Sequence, residues 1–218
     1  MARPKLTLFL DVVSPFAYMA FYVTKTSPIF KQCDVSYVPI FLGGVMKACG
    51  NTPPIEIKNK AEWIGLERSR WAKRFNIPMA DKNPEPFPQL TLHTMRAMCA
   101  VALLCPDKMD DCFSALYEAF WIQRQSISKP EVFGPVYAKV LGEEQAKQVL
   151  EKAGSAEAKK LLTDNTNMAF NEGAFGLPWF VATNAAGEKA GFWGFDHLGQ
   201  VIEHLGLERK EDGFRAML

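Results

Sequence analysis

The sequence lacks the features that mark several classes of protein. Its five cysteines include no CxxC pair, which argues against a disulfide framework and against a tetrahedral zinc site. Its 25 lysines and arginines nearly balance its 24 aspartates and glutamates, so no long-range field favours nucleic acid or an anionic membrane. No apolar run approaches the roughly 20 residues of a membrane span. We therefore expect a protein without a metal that acts on a small molecule or pairs with another copy of itself.

The two ends of the chain carry few targeting signals. The stretch before Ser14 is strand-like and has no small-residue cleavage site, so we predict no signal peptide. Unpaired cysteines fit a reducing compartment. The C-terminal triplet Ala216-Met217-Leu218 is similar to a peroxisomal signal, with Met217 in place of the basic residue. We expect a soluble protein of the cytoplasm or of an organelle, either a peroxisome or a mitochondrion.

The apolar residues, 48% of the sequence, fall into three blocks with different periodicities. The first block has the pattern of a β-α-β unit, with a strand at Leu6–Asp11, an amphipathic helix at Phe16–Thr26 and a strand at Val35–Pro39. The usual helical crossover makes these two strands parallel. The third block is predicted to be a hairpin and a helix, made of Trp179–Thr183, a turn at Asn184–Gly187, Ala190–Trp193 and Asp196–Leu205, with Asp196 as the N-cap.

Helical periodicity runs through the middle block, and proline-containing segments separate its helices. The predicted helices are Ile57–Phe75, Gln89–Leu104, Met109–Gln123, Pro130–Leu141, Glu143–Ala153 and Ala156–Phe170. Neither outer block has enough strands to stand alone, so we expect the two to share one sheet. The pattern predicts an α/β protein with a thioredoxin-like fold split by a large all-helical inserted domain. In this prediction residues 1–42 and 171–218 form the thioredoxin-like domain, and residues 43–170 form the insert.

Ser14 lies between the first predicted strand and the first predicted helix. A helix N-terminus offers unpaired N–H groups and a partial positive charge, which stabilise an anion such as a thiolate. Redox proteins place a cysteine at this point, whereas a serine hydroxyl donates a hydrogen bond to a thiolate that arrives with a ligand. Ser14-Pro15 is also a common way to cap a helix, and taken alone the motif favours that interpretation.

Pro178 lies directly before the predicted strand Trp179–Thr183. In a thioredoxin-like fold this position holds a cis proline that faces the first helix, so we expect the Leu177–Pro178 bond to be cis. Leu177 would then present its backbone N–H and C=O groups to an extended peptide. The alternative is a trans proline that starts an edge strand.

Five motifs, in their order and spacing, resemble the kappa class of glutathione transferases and the related 2-hydroxychromene-2-carboxylate isomerases. The resemblance covers nearly the whole chain. The motifs are the segments Asp11–Tyr18, Gly43–Met46, Gly50–Pro54, Gly173–Pro178 and Phe192–Asp196.

The resemblance implies specific roles in binding glutathione, which serves as a co-substrate. Ser14 matches the catalytic serine that hydrogen-bonds the glutathione sulfur. Leu177, beside Pro178, matches the residue whose main chain pairs with the cysteinyl part. The contacts implied for the glycyl end, a glutathione carboxylate and the γ-glutamyl end are Asn51, Lys60 and Asp196, respectively.

Three of these matches have other interpretations or a departure beside them. Asn51 also fits an Asx-turn before two prolines, and Lys60 also fits a solvated helix surface. Relatives carry a small polar residue directly before the aspartate that matches Asp196. This chain has Phe195 there, whose side chain supplies neither a hydroxyl nor an amide.

We predict a glutathione transferase in which Ser14 and the first helix stabilise the glutathione thiolate for attack on an electrophilic small molecule. The resemblance also implies a homodimer. One alternative is a glutathione-dependent isomerase of the 2-hydroxychromene-2-carboxylate type. Another is a glutathione-binding protein that has lost its activity, which Phe195 favours. A DsbA-type disulfide oxidoreductase is excluded because the segment Ser14–Ala17 contains neither of the two thiols that exchange requires.

Overall fold

The computed structural model describes residues 2–208. Its sheet consists of β1 (Lys5–Leu10), β2 (Asp34–Pro39), β3 (Trp179–Thr183) and β4 (Lys189–Trp193). The strands lie in the order β2-β1-β3-β4. β1 is parallel to β2 and antiparallel to β3, and β3 is antiparallel to β4. The first and third blocks of the sequence therefore build one sheet, as predicted.

β1 forms the buried centre of this sheet. Its residues Leu6, Leu8, Phe9 and Leu10 are almost completely excluded from solvent. Such an almost continuous apolar run is typical of a strand that is covered on both faces. Helix α1 (Pro15–Thr26) packs against β1, and the last helix, α9 (Leu198–Leu205), packs against β3.

The middle block forms the predicted helical insert between β2 and β3. Its helices are α2 (Leu42–Cys49), α3 (Lys60–Arg74), α4 (Leu92–Leu104), α5 (Met109–Tyr117), α6 (Pro130–Leu141), α7 (Glu143–Ala153) and α8 (Ala156–Asn171). α5 continues into a π-helical turn at Glu118–Ile122. α3 and α4 begin three residues later than predicted, because Ile57 and Gln89 belong to the non-helical segments before them. The chain is therefore a mixed α/β protein in which helices interrupt a thioredoxin-like sheet.

Helix α2 is absent from the sequence prediction. Gly43 and Gly44 stand in its first turn, and each glycine lowers helix propensity by about 1 kcal/mol relative to alanine. Both are closely packed: a Cβ on Gly43 would lie 2.8 Å from the ring of Phe41, and one on Gly44 would lie 3.0 Å from the methyl group of Thr166. The helix ends at Gly50, whose φ of 68° is left-handed. Tertiary packing therefore explains a composition that argues against a helix.

The hairpin between β3 and β4 has its turn where the sequence predicts it. Asn184 Oδ1 accepts hydrogen bonds from the N–H groups of Ala186 and Glu188, both at 3.0 Å. Gly187 has a φ of 86°, which a residue with a Cβ rarely adopts. The asparagine and the glycine together fix the turn.

The start of the last helix differs from the prediction. A 3₁₀ turn at Phe195–His197 precedes α9, which begins at Leu198. His197 stands at the N-cap position, and Asp196 accepts no capping hydrogen bond. The prediction of Asp196 as the N-cap is therefore wrong.

No helix in the described part of the chain is long and apolar enough to cross a membrane. The triplet Ala216-Met217-Leu218, which suggests a peroxisomal signal, lies outside the described residues. The division into domains at residues 43 and 170 stays a prediction, with α2 beginning at Leu42 and α8 ending at Asn171.

Candidate functional site

Four loops lie at the same end of the sheet. β1 and β2 are parallel, so the residues after Leu10 and those after Pro39 leave the sheet at the same end. β3 is antiparallel to β1, so the residues before Trp179 also lie at this end. β4 is antiparallel to β3, which adds the residues after Trp193. The candidate residues at this end of the sheet are Ser14, Leu177, Pro178 and Asp196.

Ser14 is the N-cap of α1 and is 7% exposed. Its Oγ accepts a hydrogen bond from the N–H of Ala17 at 3.2 Å, which is the expected capping contact. Within residues 2–208 the Ser14 hydroxyl donates to no acceptor, so its proton remains available to a ligand. The first turn of α1 contains no acidic residue, which leaves its partial positive charge uncompensated. A hydroxyl donor and a helix N-terminus therefore meet at one point.

Asp11, three residues before Ser14, is fully buried. Its Oδ1 accepts from the N–H of Val13 at 3.2 Å, and its Oδ2 accepts from the N–H of Leu42 at 2.9 Å. The side chain of Thr91 also hydrogen-bonds this carboxyl. Burial raises the pKa of Asp11 to about 6, against the lowering effect of the hydrogen bonds. This carboxyl group therefore joins the Ser14 turn to the starts of α2 and α4.

The Leu177–Pro178 bond is cis, as predicted. The C=O of Pro178 accepts a hydrogen bond from the N–H of Gly194 at 3.0 Å, which ties this loop to the end of β4. The backbone N–H and C=O of Leu177 form no hydrogen bond with any described residue, although the side chain is buried. These two backbone groups are therefore available for pairing with an extended ligand.

Asn51 follows α2 and reaches the loop that contains Leu177. Its Nδ2 donates to the C=O of Phe175 at 2.7 Å, and its Oδ1 accepts from the N–H of Thr52 at 2.9 Å. The contact with Thr52 reaches only the next residue, so it is not the Asx-turn that the sequence left open, because Pro53 at the required position has no N–H. The contact with Phe175 was not foreseen, and it makes Asn51 a link between the insert and the cis-proline loop.

Asp196 is exposed in the turn that follows β4. Its Oδ1 lies 3.5 Å from Nδ1 of His197. The same oxygen occupies the space that a Cβ on Gly194 would need, and Gly194 has a φ of 94°. The carboxylate folds back over Gly194, which explains why it does not cap α9.

The ring of Phe195 is 1% exposed and faces the insert. It packs edge-on against Trp71, at 5.6 Å between ring centroids, and against Phe75, at 5.3 Å. Trp71 belongs to α3, and Phe75 directly follows the helix. Where a small polar residue would offer a hydrogen bond, this chain has an aromatic contact that fixes the turn before Asp196 against α3.

Lys60 is the first residue of α3, and its side chain is exposed. Its ammonium group forms neither an ion pair nor a hydrogen bond with any residue in the range 2–208. The structure therefore shows no contact between Lys60 and the candidate residues at this end of the sheet.

Two residues of the insert lie near the Ser14 turn without having been predicted as part of the site. Trp121, in the π-helical turn after α5, donates from Nε1 to the C=O of Val12 at 2.9 Å. Arg68 of α3 lies over the Trp121 ring, with its guanidinium carbon 5.7 Å from the ring centroid. Helical spacing alone assigns a tryptophan to the core and an arginine to the surface. Their proximity is a tertiary feature with no signal in the local sequence.

The four buried cysteines offer no alternative to Ser14. Burial raises the pKa of Cys33, Cys99, Cys105 and Cys112, which keeps these thiols protonated at neutral pH. Cys49 is exposed, and its Sγ lies 3.8 Å from the C=O of Phe175. Among the described residues no group of three or more His, Cys, Asp or Glu side chains is placed to hold a metal ion.

Known proteins share this architecture and parts of this sequence. Glutathione S-transferase kappa 1 of Caenorhabditis elegans is 27% identical over 209 residues, which cover 93% of this chain and 91% of that protein. The 2-hydroxychromene-2-carboxylate isomerase of Sphingobium xenophagum is 24% identical over 201 residues, which cover 90% of this chain and 95% of that protein.

The same fold occurs in the solved structure of a 2-hydroxychromene-2-carboxylate isomerase. It superposes with a TM-score of 0.73 at 20% identity and covers 93% of this chain and 94% of the other. The family model of the DSBA-like thioredoxin domain matches residues 5–206. Because this match includes all four strands and every helix described above, the chain belongs to the family of DSBA-like thioredoxin domains.

Proposed function

We propose that the protein is a glutathione transferase in which Ser14 and the N-terminus of α1 stabilise the thiolate of bound glutathione. One observation carries the proposal: the Ser14 hydroxyl, which donates to no described residue, lies at a helix N-terminus without an acidic first turn. Relatives named glutathione S-transferase kappa, at 27% identity over nearly the full chain, support the choice of glutathione.

In this proposal the glutathione backbone pairs with Leu177, next to Pro178. The unpaired N–H and C=O of Leu177 suit the cysteinyl residue of a peptide that is added as a short strand. Asp196 binds the γ-glutamyl ammonium, and Asn51 acts chiefly by holding the cis-proline loop through the Phe175 C=O. Lys60 meets a glutathione carboxylate through its free ammonium group.

The chemistry needs a thiolate at neutral pH. A helix N-terminus stabilises an anion by about 0.3–1 kcal/mol, and up to about 2 kcal/mol when partly buried. A hydrogen bond to a charged group adds about 1.5–3 kcal/mol. At about 1.4 kcal/mol per pKa unit, the two effects together lower the thiol pKa by about one to four units. The thiol proton leaves to solvent, and the sulfur forms a bond to an electrophilic carbon as the leaving group departs with its electron pair.

Replacement of Ser14 by alanine tests the proposal. We expect kcat/KM for glutathione and 1-chloro-2,4-dinitrobenzene to fall by about 100-fold, because the thiolate loses its donor. Ser155 provides a matched control, since it caps α8 in the same way, with its Oγ accepting from the N–H of Ala158 at 3.1 Å. Ser14→Ala and Ser155→Ala each remove a cap worth about 1 kcal/mol. Only Ser14→Ala is expected to reduce activity.

Two outcomes would remove Ser14 from the mechanism. In the first, Ser14→Ala keeps the wild-type kcat/KM. In the second, Ser14→Ala and Ser155→Ala lose activity equally, which would point to helix stability and not to the thiolate. Circular dichroism of both variants would show whether their helices persist.

The isomerase is the second candidate, and the 24% identity to the Sphingobium enzyme favours it. An isomerase adds the thiolate to a conjugated substrate and releases it again, so glutathione is not consumed. Turnover of a hydroxychromene carboxylate with a constant total of free glutathione would favour isomerisation, whereas a stable conjugate would favour transfer.

The homodimer belongs to the same proposal. Trp63 and Leu66, on the first half of α3, are 54% and 52% exposed, and Ile55 and Ile57 before the helix are also exposed. A second copy of the chain would remove these apolar side chains from water. Sedimentation at micromolar concentration is expected to give the mass of a dimer, and a monomer would contradict this part of the proposal.

A further inference from the structure

A cavity of about 300 Å³ lies between the second half of α3 and the segment 76–81 that follows it. This volume is at the lower end of the range for small-molecule sites. The polar part of the lining consists of Arg68, Ser69, Lys73, Asn76 and Asp81. None of these residues belongs to the site proposed for glutathione.

Arg68 is the unusual member of this lining because it is a buried charge that forms no direct ion pair among the described residues. The residue is only 5% exposed, and its guanidinium forms no ion pair with any residue in the described range. Arginine is almost never this deeply buried unless it is paired. A buried charge without a close partner of opposite sign costs free energy, and an anion bound next to Arg68 would offset this cost.

The guanidinium also has hydrogen bonds to spare. It donates to Oδ1 of Asn83 and, at 2.5 Å, to the backbone C=O of Asp81. Its other N–H groups have no hydrogen-bond partner among residues 2–208. A guanidinium carries five N–H donors in a planar fork, a geometry that suits the two oxygens of a carboxylate.

The other charges around the cavity leave a net positive sign. Lys73 adds a positive charge to that of Arg68, and Asp81 supplies one negative charge. The Asp81 side chain is exposed and forms no direct ion pair with Arg68. Burial lowers the pKa of Arg68, and the more distant charge of Asp81 only partly offsets this effect. The cavity therefore favours an anion over a neutral or cationic ligand.

Hydrogen bonds connect the walls of the cavity to the Ser14 turn. The N–H of Ala80 donates to the C=O of Trp121 at 2.8 Å, and the indole of Trp121 donates to the C=O of Val12. On the other side, the hydroxyl of Tyr18 in α1 donates to the C=O of Pro78 at 2.6 Å. The segment that lines the cavity is thus hydrogen-bonded to the elements that position Ser14.

We propose that this cavity binds the carboxylate of a small molecule through Arg68, and that the molecule is the electrophile that reacts with glutathione. The assignment to the electrophile rests on the proposed transferase function, whereas the carboxylate site itself does not. The substrate class is therefore electrophiles that bear a carboxylate, in preference to neutral ones of the same shape.

A binding experiment without glutathione tests the site itself. The probes are 4-nitrobenzoate and its neutral isostere 4-nitrobenzamide, titrated into the full chain by calorimetry. We expect the carboxylate to bind at least about tenfold more tightly than the amide, and Arg68→Met to remove this difference. Lys82→Gln is the matched control, because it deletes an exposed positive charge directly after the segment 76–81 and outside the cavity lining. Arg68→Lys keeps the charge without the fork and is expected to give an intermediate affinity.

A kinetic experiment tests the assignment to the electrophile. The pair 4-chloro-3-nitrobenzoate and 4-chloro-3-nitrobenzamide differs only in the charged group, and each rate is divided by the rate of the uncatalysed reaction with glutathione. We expect the wild type to favour the carboxylate in kcat/KM by about tenfold, mainly through KM. Arg68→Met is expected to abolish this ratio, and Lys82→Gln to preserve it.

The outcomes separate this inference from the proposed function. Equal affinity for 4-nitrobenzoate and 4-nitrobenzamide would overturn the carboxylate site. An affinity for 4-nitrobenzoate that is unchanged in Arg68→Met would overturn it as well. Binding that depends on Arg68, together with a kinetic ratio that does not, would overturn the assignment to the electrophile. If neither electrophile reacts with glutathione while the binding of 4-nitrobenzoate still depends on Arg68, the proposed transferase function is contradicted and the carboxylate site is retained.

Discussion

Asp11 and Arg68 are two buried charged groups with different surroundings. Asp11 is fully buried, and its carboxyl meets the N–H groups of Val13 and Leu42 and the side chain of Thr91. Arg68 is 5% exposed, and its guanidinium meets only neutral acceptors. Neither forms an ion pair with a described residue. The carboxyl group is enclosed by partners from the protein, whereas the guanidinium faces a cavity with donors left over.

This difference distinguishes a structural joint, meaning a buried group whose hydrogen bonds hold separate segments together, from a binding site. The partners of Asp11 lie on the Ser14 turn, at the start of α2 and directly before α4, so its hydrogen bonds hold the sheet and the insert together. Arg68 joins α3 only to the segment that includes Asp81 and Asn83. We expect the protein to depend on Asp11 for stability and on Arg68 for recognition of an anion.

The largest effect is expected for Asp11→Ala. The substitution leaves the N–H groups of Val13 and Leu42 and the hydroxyl of Thr91 without their acceptor, and each unsatisfied buried group costs about 1–3 kcal/mol. Relief from burying a carboxylate offsets part of this cost. We expect a net loss of about 3 kcal/mol in the free energy of unfolding at neutral pH, measured in urea. A loss below about 1 kcal/mol would contradict the role of Asp11 as a joint.

The pH dependence of stability gives a second, smaller test of Asp11. Its pKa is raised from 3.8 to about 6, so the folded state binds its proton more tightly than the unfolded state. The stability that this group contributes is fully present below the unfolded pKa of 3.8 and is lost as the pH rises through about 6. Between about pH 4 and about pH 7 the loss amounts to about 2 kcal/mol.

Asp11→Asn provides the control for this pH dependence, because it removes the titrating group and keeps the shape of the side chain. Unfolding is measured at each pH for both proteins, and the wild-type value minus the variant value isolates the contribution of Asp11. We expect this difference to decrease as the pH rises. A difference that is independent of pH would show that the carboxyl does not titrate in this range.

The smallest effect is expected for Arg68→Met in the absence of a ligand. A buried charge without an ion pair gains little from its position, and an apolar side chain of similar length is often neutral or stabilising there. We expect the free energy of unfolding to change by less than about 1 kcal/mol. A loss as large as that of Asp11→Ala would make Arg68 a second structural joint and would argue against the carboxylate site.

Local signals in the sequence were enough to predict the four strands, the cap of the first helix and the hairpin turn. The Ser14-Pro15 cap and the Asn184–Gly187 turn each act within a few residues, and both appear where predicted. The cis bond before Pro178 was predicted from its place in the fold, and the structure confirms it. These features help to define the end of the sheet at which the proposed glutathione site lies.

The remainder of the site depends on contacts between distant segments. α2 escaped prediction because the close packing of Gly43 and Gly44 is a tertiary feature, whereas their helix propensity is low. The burial of Arg68 depends on the segment 76–83 folding back over α3, which no periodicity within the helix reveals. Phe195 was read as the loss of a polar contact, and the structure adds its packing against α3.

The central claim concerns the sulfur of bound glutathione. The most direct measurement is the pKa of that sulfur in the complex, obtained from the ultraviolet absorbance of the thiolate as a function of pH. For the wild type we predict a pKa at least about one unit below the ordinary value of about 8.5 for a thiol, with a return toward that value in Ser14→Ala. Glutathione that does not bind, or that binds with the same sulfur pKa in both proteins, would contradict the account.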